Sequence, residues 1–170
     1  LNEGIRKKLA TFCNVTQEAI IEAIDAETIY DVPNLMLKEG LDKVVLKKLG
    51  LIADRTPDLD SWNEFLRKFQ NPKAFVEIGL VGKYVELQDA YKSIIEAIGH
   101  AGAENEVKVN IHFIHSEELL PENVPGLLKG LQGIIVAPGF GDRGTERKIE
   151  AIRYARDNKI PFFGICLGMQ

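Results

Sequence analysis

The residues with the most chemistry in them lie together in Phe162-Phe163-Gly164-Ile165-Cys166-Leu167-Gly168-Met169-Gln170. An apolar stretch runs into Gly164-x-Cys166-x-Gly168, the cysteine form of a nucleophile elbow, in which the nucleophile sits on a strained strand-to-helix turn. Glycine two residues to either side suits that geometry, because a side chain there would collide with the tight turn. A helix after the turn would aim its free N–H groups and positive dipole end at the sulfur and favour thiolate. The competing reading is a buried structural cysteine beside packing glycines.

A second cluster is Val136-Ala137-Pro138-Gly139-Phe140-Gly141-Asp142-Arg143-Gly144. Its glycines allow backbone N–H groups to turn toward a ligand, as an oxyanion hole requires. Acyl transfer from an amide builds a negative oxygen in the tetrahedral intermediate. Donors from Gly139–Phe140 and from Leu167 would meet that oxygen from two sides. The same residues also read as an ordinary glycine-rich turn or a phosphate loop. No Gly-Lys-Ser/Thr follows, so this is not a Walker A loop.

These loops need elements to hold them, and residues 73–170 supply an alternating pattern. Phe75–Val81 and Gly133–Val136 are apolar runs, Val107–Ile114 alternates as a half-exposed strand does, and Pro161–Cys166 is expected as a buried strand. Asp89–Gly99 is amphipathic, with Tyr91, Ile94, Ile95 and Ile98 on one side. Pro121–Leu128 is a short helix, and Thr145–Asn158 a longer one with Ile149, Ile152 and Ala155 inward. Strands alternating with helices specify a parallel sheet covered on both faces. Such sheets bind ligands at the carboxyl ends of their strands.

Residues 1–72 differ, being mainly helical. Ile5, Leu9 and Phe12 share a face of a helix over Glu3–Phe12, and Ala19–Ile24 is expected as a short strand. Leu35–Glu39 and Leu41–Leu49 are helical, each closed by a glycine, Gly40 and Gly50. Asp54–Asp60, with Pro57, reads as a linker or turn. Asp60 or Ser61 caps a helix to about Phe69, whose apolar face carries Trp62, Phe65, Leu66 and Phe69.

The chain has 170 residues, 45% hydrophobic and 27% charged, which suits one domain with an appended segment. A net charge of −4 argues against a nucleic-acid or anionic-membrane binder. No apolar run reaches the roughly 18 residues of a membrane span, and no signal-peptide pattern is present. Cys13 and Cys166 define neither a disulfide framework nor a metal site and fit a reducing cytoplasmic setting. His100, His112 and His115 show no ligand spacing and are expected on the surface or at strand edges, with no metal bound. With no initiator methionine and a helical pattern at its start, the chain is expected to begin inside a longer protein.

Gly164-Ile165-Cys166-Leu167-Gly168-Met169-Gln170 resembles the nucleophile segment of class I, triad-type glutamine amidotransferases. Gly141-Asp142-Arg143-Gly144-Thr145-Glu146, Ala151-Ile152-Arg153-Tyr154-Ala155-Arg156 and Val81-Gly82-Lys83-Tyr84-Val85-Glu86-Leu87-Gln88-Asp89-Ala90-Tyr91-Lys92-Ser93 narrow the resemblance to the CTP synthase family. Phe12-Cys13-Asn14-Val15 and Ile29-Tyr30-Asp31-Val32-Pro33 resemble the end of that family's synthetase domain. The resemblance implies an α/β fold, a flavodoxin-like parallel sheet with helices on both faces, incomplete here and preceded by a mainly helical segment. It places the synthetase tail at residues 1–53, an interdomain linker with a helix at 54–72, and the front half of the amidotransferase domain at 73–170.

The activity so implied is that of a ligase of pyrimidine biosynthesis. ATP phosphorylates the uracil 4-oxygen of UTP, and ammonia from glutamine displaces the phosphate. Cys166 would form a γ-glutamyl thioester. Gly139 and Leu167 would supply the oxyanion hole, and Gly168, Met169 and Gln170 would line the glutamine pocket. Lys8 matches a nucleotide-contacting position, and Asp25 lies in a segment bordering the ATP site. ATP and Mg are implied for the full-length enzyme and no tightly bound cofactor for the fragment. Glutamine, UTP and ATP are the expected partners, with GTP a candidate activator, no nucleic acid, no membrane, and a full-length homotetramer in the cytoplasm.

Two local departures stand out. Ala137-Pro138-Gly139-Phe140-Gly141 replaces the family's Pro-Gly-Gly-Phe-Gly, and Gln88 stands where proline is expected. The histidine base and its acidic partner lie far beyond the nucleophile in the family, so the chain alone is expected neither to hydrolyse glutamine nor to make CTP. Without the helix after Cys166, slow unselective alkylation and an aggregation-prone last strand are expected. A stand-alone cysteine hydrolase of flavodoxin-like fold would explain Cys166 but not residues 1–72 or the Tyr84–Lys92 run. A non-catalytic α/β domain with an inert cysteine is the third reading.

Overall fold

In the computed structural model, which describes residues 1–52, 55–139 and 144–170, the chain divides into two units, Leu1–Leu66 and Arg67–Gln170. The first opens with α1 (Glu3–Cys13). Asn2 caps it by accepting the Ile5 N–H at 2.9 Å, and Asn14 ends it in the left-handed conformation. Its face of Ile5, Leu9 and Phe12 is exposed, and only Ala10 is buried. α2 (Val32–Lys38) starts on Pro33 and passes through Gly40, at φ +75°, into α3 (Leu41–Lys48).

The strand expected at Ala19–Ile24 is absent. Gln17–Ala19 is a single 3-10 turn, Ile20 beyond it is extended, and residues 20–26 form no strand. Side chains bond to this backbone instead. Arg6 Nη1 donates to the Ile20 carbonyl at 2.6 Å, and the Glu22 N–H donates to Glu39 Oε2 at 3.1 Å. Arg6 Nη2 closes the set on Glu39 at 2.8 Å and on Glu22 at 3.3 Å.

α4 (Asp60–Gln70) begins where the Asp60 N–H donates to Asp58 Oδ1 at 2.9 Å. Trp62 and Phe65 meet the buried Tyr30 edge-on, at centroid distances of 6.0 and 5.2 Å. Trp62 Nε1 also donates to the Tyr30 carbonyl at 2.8 Å.

The second unit is a four-stranded, all-parallel sheet of β1 (Ala74–Gly82), β2 (Val107–His115), β3 (Gly133–Val136) and β4 (Phe162–Gly164), in the order β2-β1-β3-β4. That order matches the first four strands of the flavodoxin-like arrangement. The connecting helices are α5 (Lys92–Glu104), α6 (Val124–Leu128) and α7 (Thr145–Asp157). Alternation along the strands sends Val81, Ile114, Ile134 and Val136 to one face, where Leu119, Leu128, Ala151 and Ala155 pack on them. Leu80 and Ala137 face the other side with Tyr91, and Ile94, Ile95, Ile111 and Phe113 pack around them. Leu80, Val81, Leu119, Leu128, Ile134 and Val136 are all less than 2% exposed. At about 1.5–3 kcal/mol for each such side chain, the sheet unit holds most of the hydrophobic stabilisation among the described residues.

Two sequence expectations about burial are corrected. In α7, Ile149 is 42% exposed, whereas Lys148 and Ala151 are buried, so the inward stripe is Lys148, Ala151, Ile152 and Ala155. β4 is a short edge strand with Phe163 62% exposed, not a buried one, because only β3 pairs with it.

Candidate functional site

The strand order reverses between β1 and β3, the point at which sheets of this kind bind ligands, and the described residues after β1, β3 and β4 approach one another at the carboxyl ends of the strands. There the backbone is stitched tightly. The Ala137 N–H donates to the Val81 carbonyl at 2.8 Å, and the Ile165 N–H to the Val136 carbonyl at 3.0 Å. The chain then turns at Cys166 into a 3-10 turn, Cys166–Gly168, closed by Gly168 N–H on Ile165 O at 2.9 Å and Met169 N–H on Cys166 O at 3.0 Å.

Cys166 takes φ +54°, a left-handed conformation that a residue with a Cβ adopts at a cost of about 1–3 kcal/mol. The flanking glycines make the turn possible. A Cβ on Gly164 would fall on the Gly168 carbonyl, and one on Gly168 would fall on the Val136 carbonyl, both far inside van der Waals contact. Cys166 is free and exposed.

Of the residues read from sequence, Leu167 is half-buried and Gly168 buried in the turn. Met169, 71% exposed, and the exposed Gln170 follow it. Gly139 is half-buried on the loop after β3. Phe140 and the Gly141–Arg143 part of that loop lie outside the described residues. Lys8 is exposed on α1 and Asp25 is exposed in the 20–26 segment, each in the first unit.

His112 and His115 belong to β2, at the opposite edge from β4. Three interstrand steps, about 14 Å, separate those strands. His112 Nε2 is joined to Glu77 at 2.5 Å, and His115 Nδ1 accepts the Glu117 N–H at 3.2 Å. His100 lies exposed on α5.

Two lysines beside the loop went unread as site residues. Lys148, from α7, is 2% exposed and donates from Nζ to the Ala137 carbonyl at 2.8 Å. Lys83, 8% exposed, follows β1. A Cβ on Gly139 would lie 3.4 Å from Lys148 Nζ and 3.7 Å from Lys83 Cδ, so the Lys148 head and the Lys83 stem lie under that glycine. Burial pushes the Lys148 ammonium below the ordinary lysine range, the nearby Lys83 charge pushes the same way, and Cys166 opposes. Tyr91 Oη fixes the loop after β1 by accepting the Lys83 and Tyr84 N–H groups at 3.0 and 3.2 Å. The readable signal for Lys148 was the small residues Ala151 and Ala155, three and seven positions on, which mark the packed stripe.

A cysteine held on such a turn at the mouth of a parallel sheet has the backbone arrangement of a nucleophile elbow. Residues 86–170, half of the chain, match the family described as "Glutamine amidotransferase class-I". Residues 1–51 match the family described as "CTP synthase N-terminus". With both matched in that order, the chain belongs to the CTP synthase family.

Full-length relatives agree. The CTP synthase of Christiangramia forsetii is 65% identical over all of this chain and 31% of its own length. That of Flavobacterium psychrophilum is 68% identical over all of this chain and 32% of its own. The Methanocaldococcus jannaschii CTP synthase is 58% identical, again covering the whole chain and 32% of its own length. The chain therefore spans about a third of the length of these relatives. Among solved structures, the Trypanosoma brucei CTPS glutaminase domain with bound acivicin is similar at 41% identity and a TM-score of 0.51, over 56% of this chain and 38% of that one. Membership at both ends of the chain disfavours a stand-alone cysteine hydrolase, which accounts for neither residues 1–51 nor their order.

Proposed function

We propose that this chain is part of an enzyme that makes CTP from UTP, ATP and glutamine-derived ammonia, and that Cys166 is its glutamine-cleaving nucleophile. The observation that carries the reading is Cys166 at φ +54° between Gly164 and Gly168, exposed beside the loop after β3. Residues 1–53 are read as the synthetase tail, 54–72 as the linker and 73–170 as the front of the amidotransferase domain.

The Cys166 thiolate attacks the side-chain amide carbon of glutamine, and the carbonyl π electrons move onto oxygen. The Gly139 and Leu167 N–H groups stabilise that oxyanion. Collapse of the intermediate expels the nitrogen, which leaves as ammonia once protonated, and a γ-glutamyl thioester remains on Cys166. Water then cleaves the thioester, releasing glutamate and returning the thiol. Gly168, Met169 and Gln170 line the glutamine pocket.

A general base must take and return these protons. The sheet order sets His112 and His115 on the far edge, and His100 is exposed on α5, so we read the base as belonging to the part of the relatives' length that this chain does not span. At the synthetase site ATP phosphorylates the uracil 4-oxygen and ammonia displaces phosphate, with Lys8 and Asp25 near the nucleotide. Among the described residues no group of three or more His, Cys, Asp or Glu side chains is arranged to hold a metal ion. GTP as activator, a homotetramer and a cytoplasmic setting complete the reading. No helix among the described residues is long and apolar enough to cross a membrane.

The test uses the full-length protein that carries this chain. CTP formation from UTP and ATP is followed with ammonia or with glutamine as nitrogen source, in wild type and in Cys166→Ala. The variant is expected to keep the ammonia reaction and lose the glutamine reaction. A wild type that makes no CTP from either source would overturn the reading.

A further inference from the structure

Lys148 is an expensive residue where it stands. Its side chain is buried, yet among the described residues its ammonium has no carboxylate within ion-pair distance. A methionine or leucine would fill the same space without desolvating a charge, and such replacements in protein interiors are often neutral or stabilising. Among the described residues the one bond its ammonium makes is to the Ala137 carbonyl, and its head sits under Gly139. Val136, one residue earlier, accepts the Ile165 N–H and packs on Gly168. The ammonium is therefore set at the junction of the β3 loop and the cysteine turn, on the element meant to receive negative charge.

We infer that Lys148 is a positioning residue for the amide-cleaving step, holding the Ala137 carbonyl away from the reacting oxygen and so aiming the Gly139 N–H at it. An acceptor carbonyl left loose at the end of β3 would face the developing oxyanion and oppose it. Bonded to Lys148 it is held and neutralised, and the positive charge adds to the potential at the oxygen. Burial strengthens this effect, because no solvent screens the charge. The lowered proton affinity of Lys148 is the expected mark of a cation kept in an apolar setting. The inference rests on the reading of Cys166 as the amide-cleaving nucleophile.

The test compares two reactions of Cys166 in the full-length protein. Glutamine hydrolysis passes through an oxyanion, whereas alkylation by iodoacetamide, a direct displacement of iodide by sulfur, does not. Lys148→Met is expected to lower kcat for glutamine hydrolysis about 10- to 100-fold with KM within about twofold, the size seen when supporting residues of a reactive centre are removed. Alkylation at Cys166, read by mass spectrometry of its peptide, should fall at least tenfold less than kcat does, and the thermal midpoint should not fall. Lys148→Gln, too short to reach the same carbonyl, should behave alike, and Lys148→Arg should recover most of the rate.

A Lys148→Met or Lys148→Gln protein with kcat within about threefold of wild type would overturn the inference, as would equal losses in both reactions. Loss of cooperative melting in both variants would make Lys148 a structural residue and overturn it too. A wild type that alkylates at Cys166 but hydrolyses no glutamine would count against the nucleophile reading itself, a different failure.

Discussion

Cys166 carries strain that its neighbours make tolerable. A side chain at φ +54° costs about 1–3 kcal/mol, and the 3-10 turn and the close approach of Gly168 to Val136 hold it there. Replacing the strained residue by glycine removes that cost against an added chain entropy of about 0.5–1 kcal/mol. Cys166→Gly is accordingly expected to stabilise the protein by about 1 kcal/mol in denaturant unfolding while ending thiol reactivity at this position. Gly168→Ala should do the reverse, destabilising by about 1–3 kcal/mol as its Cβ is forced against the Val136 carbonyl. A Gly168→Ala protein as stable as wild type would show that the turn is looser than described. The cysteine and its glycines were legible in sequence because the elbow needs small residues at fixed spacing. Lys148 was not, because a lysine on an amphipathic helix ordinarily marks the solvent face, and Ile149 drew the inward stripe one residue too far.

Elements were legible where their apolar period was strong. β3 falls at Gly133–Val136 as the apolar run predicts, and α7 keeps its expected bounds to within a residue although its inward stripe differs, while α5 (Lys92–Glu104) starts and ends later than the Asp89–Gly99 pattern. The strand failures share a cause, since strand propensity says nothing of whether a partner strand exists. Ala19–Ile24 has strand-like residues but no ladder, and the Arg6–Glu22–Glu39 set serves its backbone instead. That set makes the segment sensitive to acid. Bonding to Arg6, then to the Glu22 N–H, holds the Glu39 carboxyl below the usual carboxylate range, against the opposing effect of desolvation. A carboxyl whose proton affinity is lowered by folding contributes its stabilisation fully above its unfolded value, about 4.3, and loses it as pH falls through the lower folded value. The Glu22 amide resonance is expected to titrate with Glu39, with a midpoint below that of an ordinary glutamate. Glu39→Gln should abolish the titration and flatten the acid limb of the stability curve. An unchanged Glu22 shift across that range would remove Glu39 from the role.

At the scale of the whole molecule, the sheet order decides what this chain does alone. Among the described residues β4 lies at one edge of the sheet, with Phe162 39% and Phe163 62% exposed. On one face a largely apolar cavity of about 590 Å³ lies between β1, β2, β3 and β4, lined by Val76, Ile78, Ile98, Ile135, Phe162 and Phe163 among others. Phe75, 63% exposed, adds to the apolar surface of the same unit. The sequence already pointed to an aggregation-prone last strand, whereas its reading of Pro161–Cys166 as a buried strand missed that Phe162 and Phe163 are exposed. Open backbone groups flanked by large apolar side chains are the usual template for edge-to-edge pairing. The 170-residue chain is therefore expected to self-associate at micromolar concentration in sedimentation experiments, with a rise in fluorescence of an apolar dye. Phe163→Lys places a charge on that edge at a side chain already 62% exposed, so little buried area is lost. The substitution should lower association severalfold and leave the thermal midpoint within a few degrees, as expected for surface changes of about 0.5 kcal/mol or less. Association that persists undiminished in Phe163→Lys would place the contact elsewhere, with the exposed Ile5, Leu9 and Phe12 face of α1 next in line.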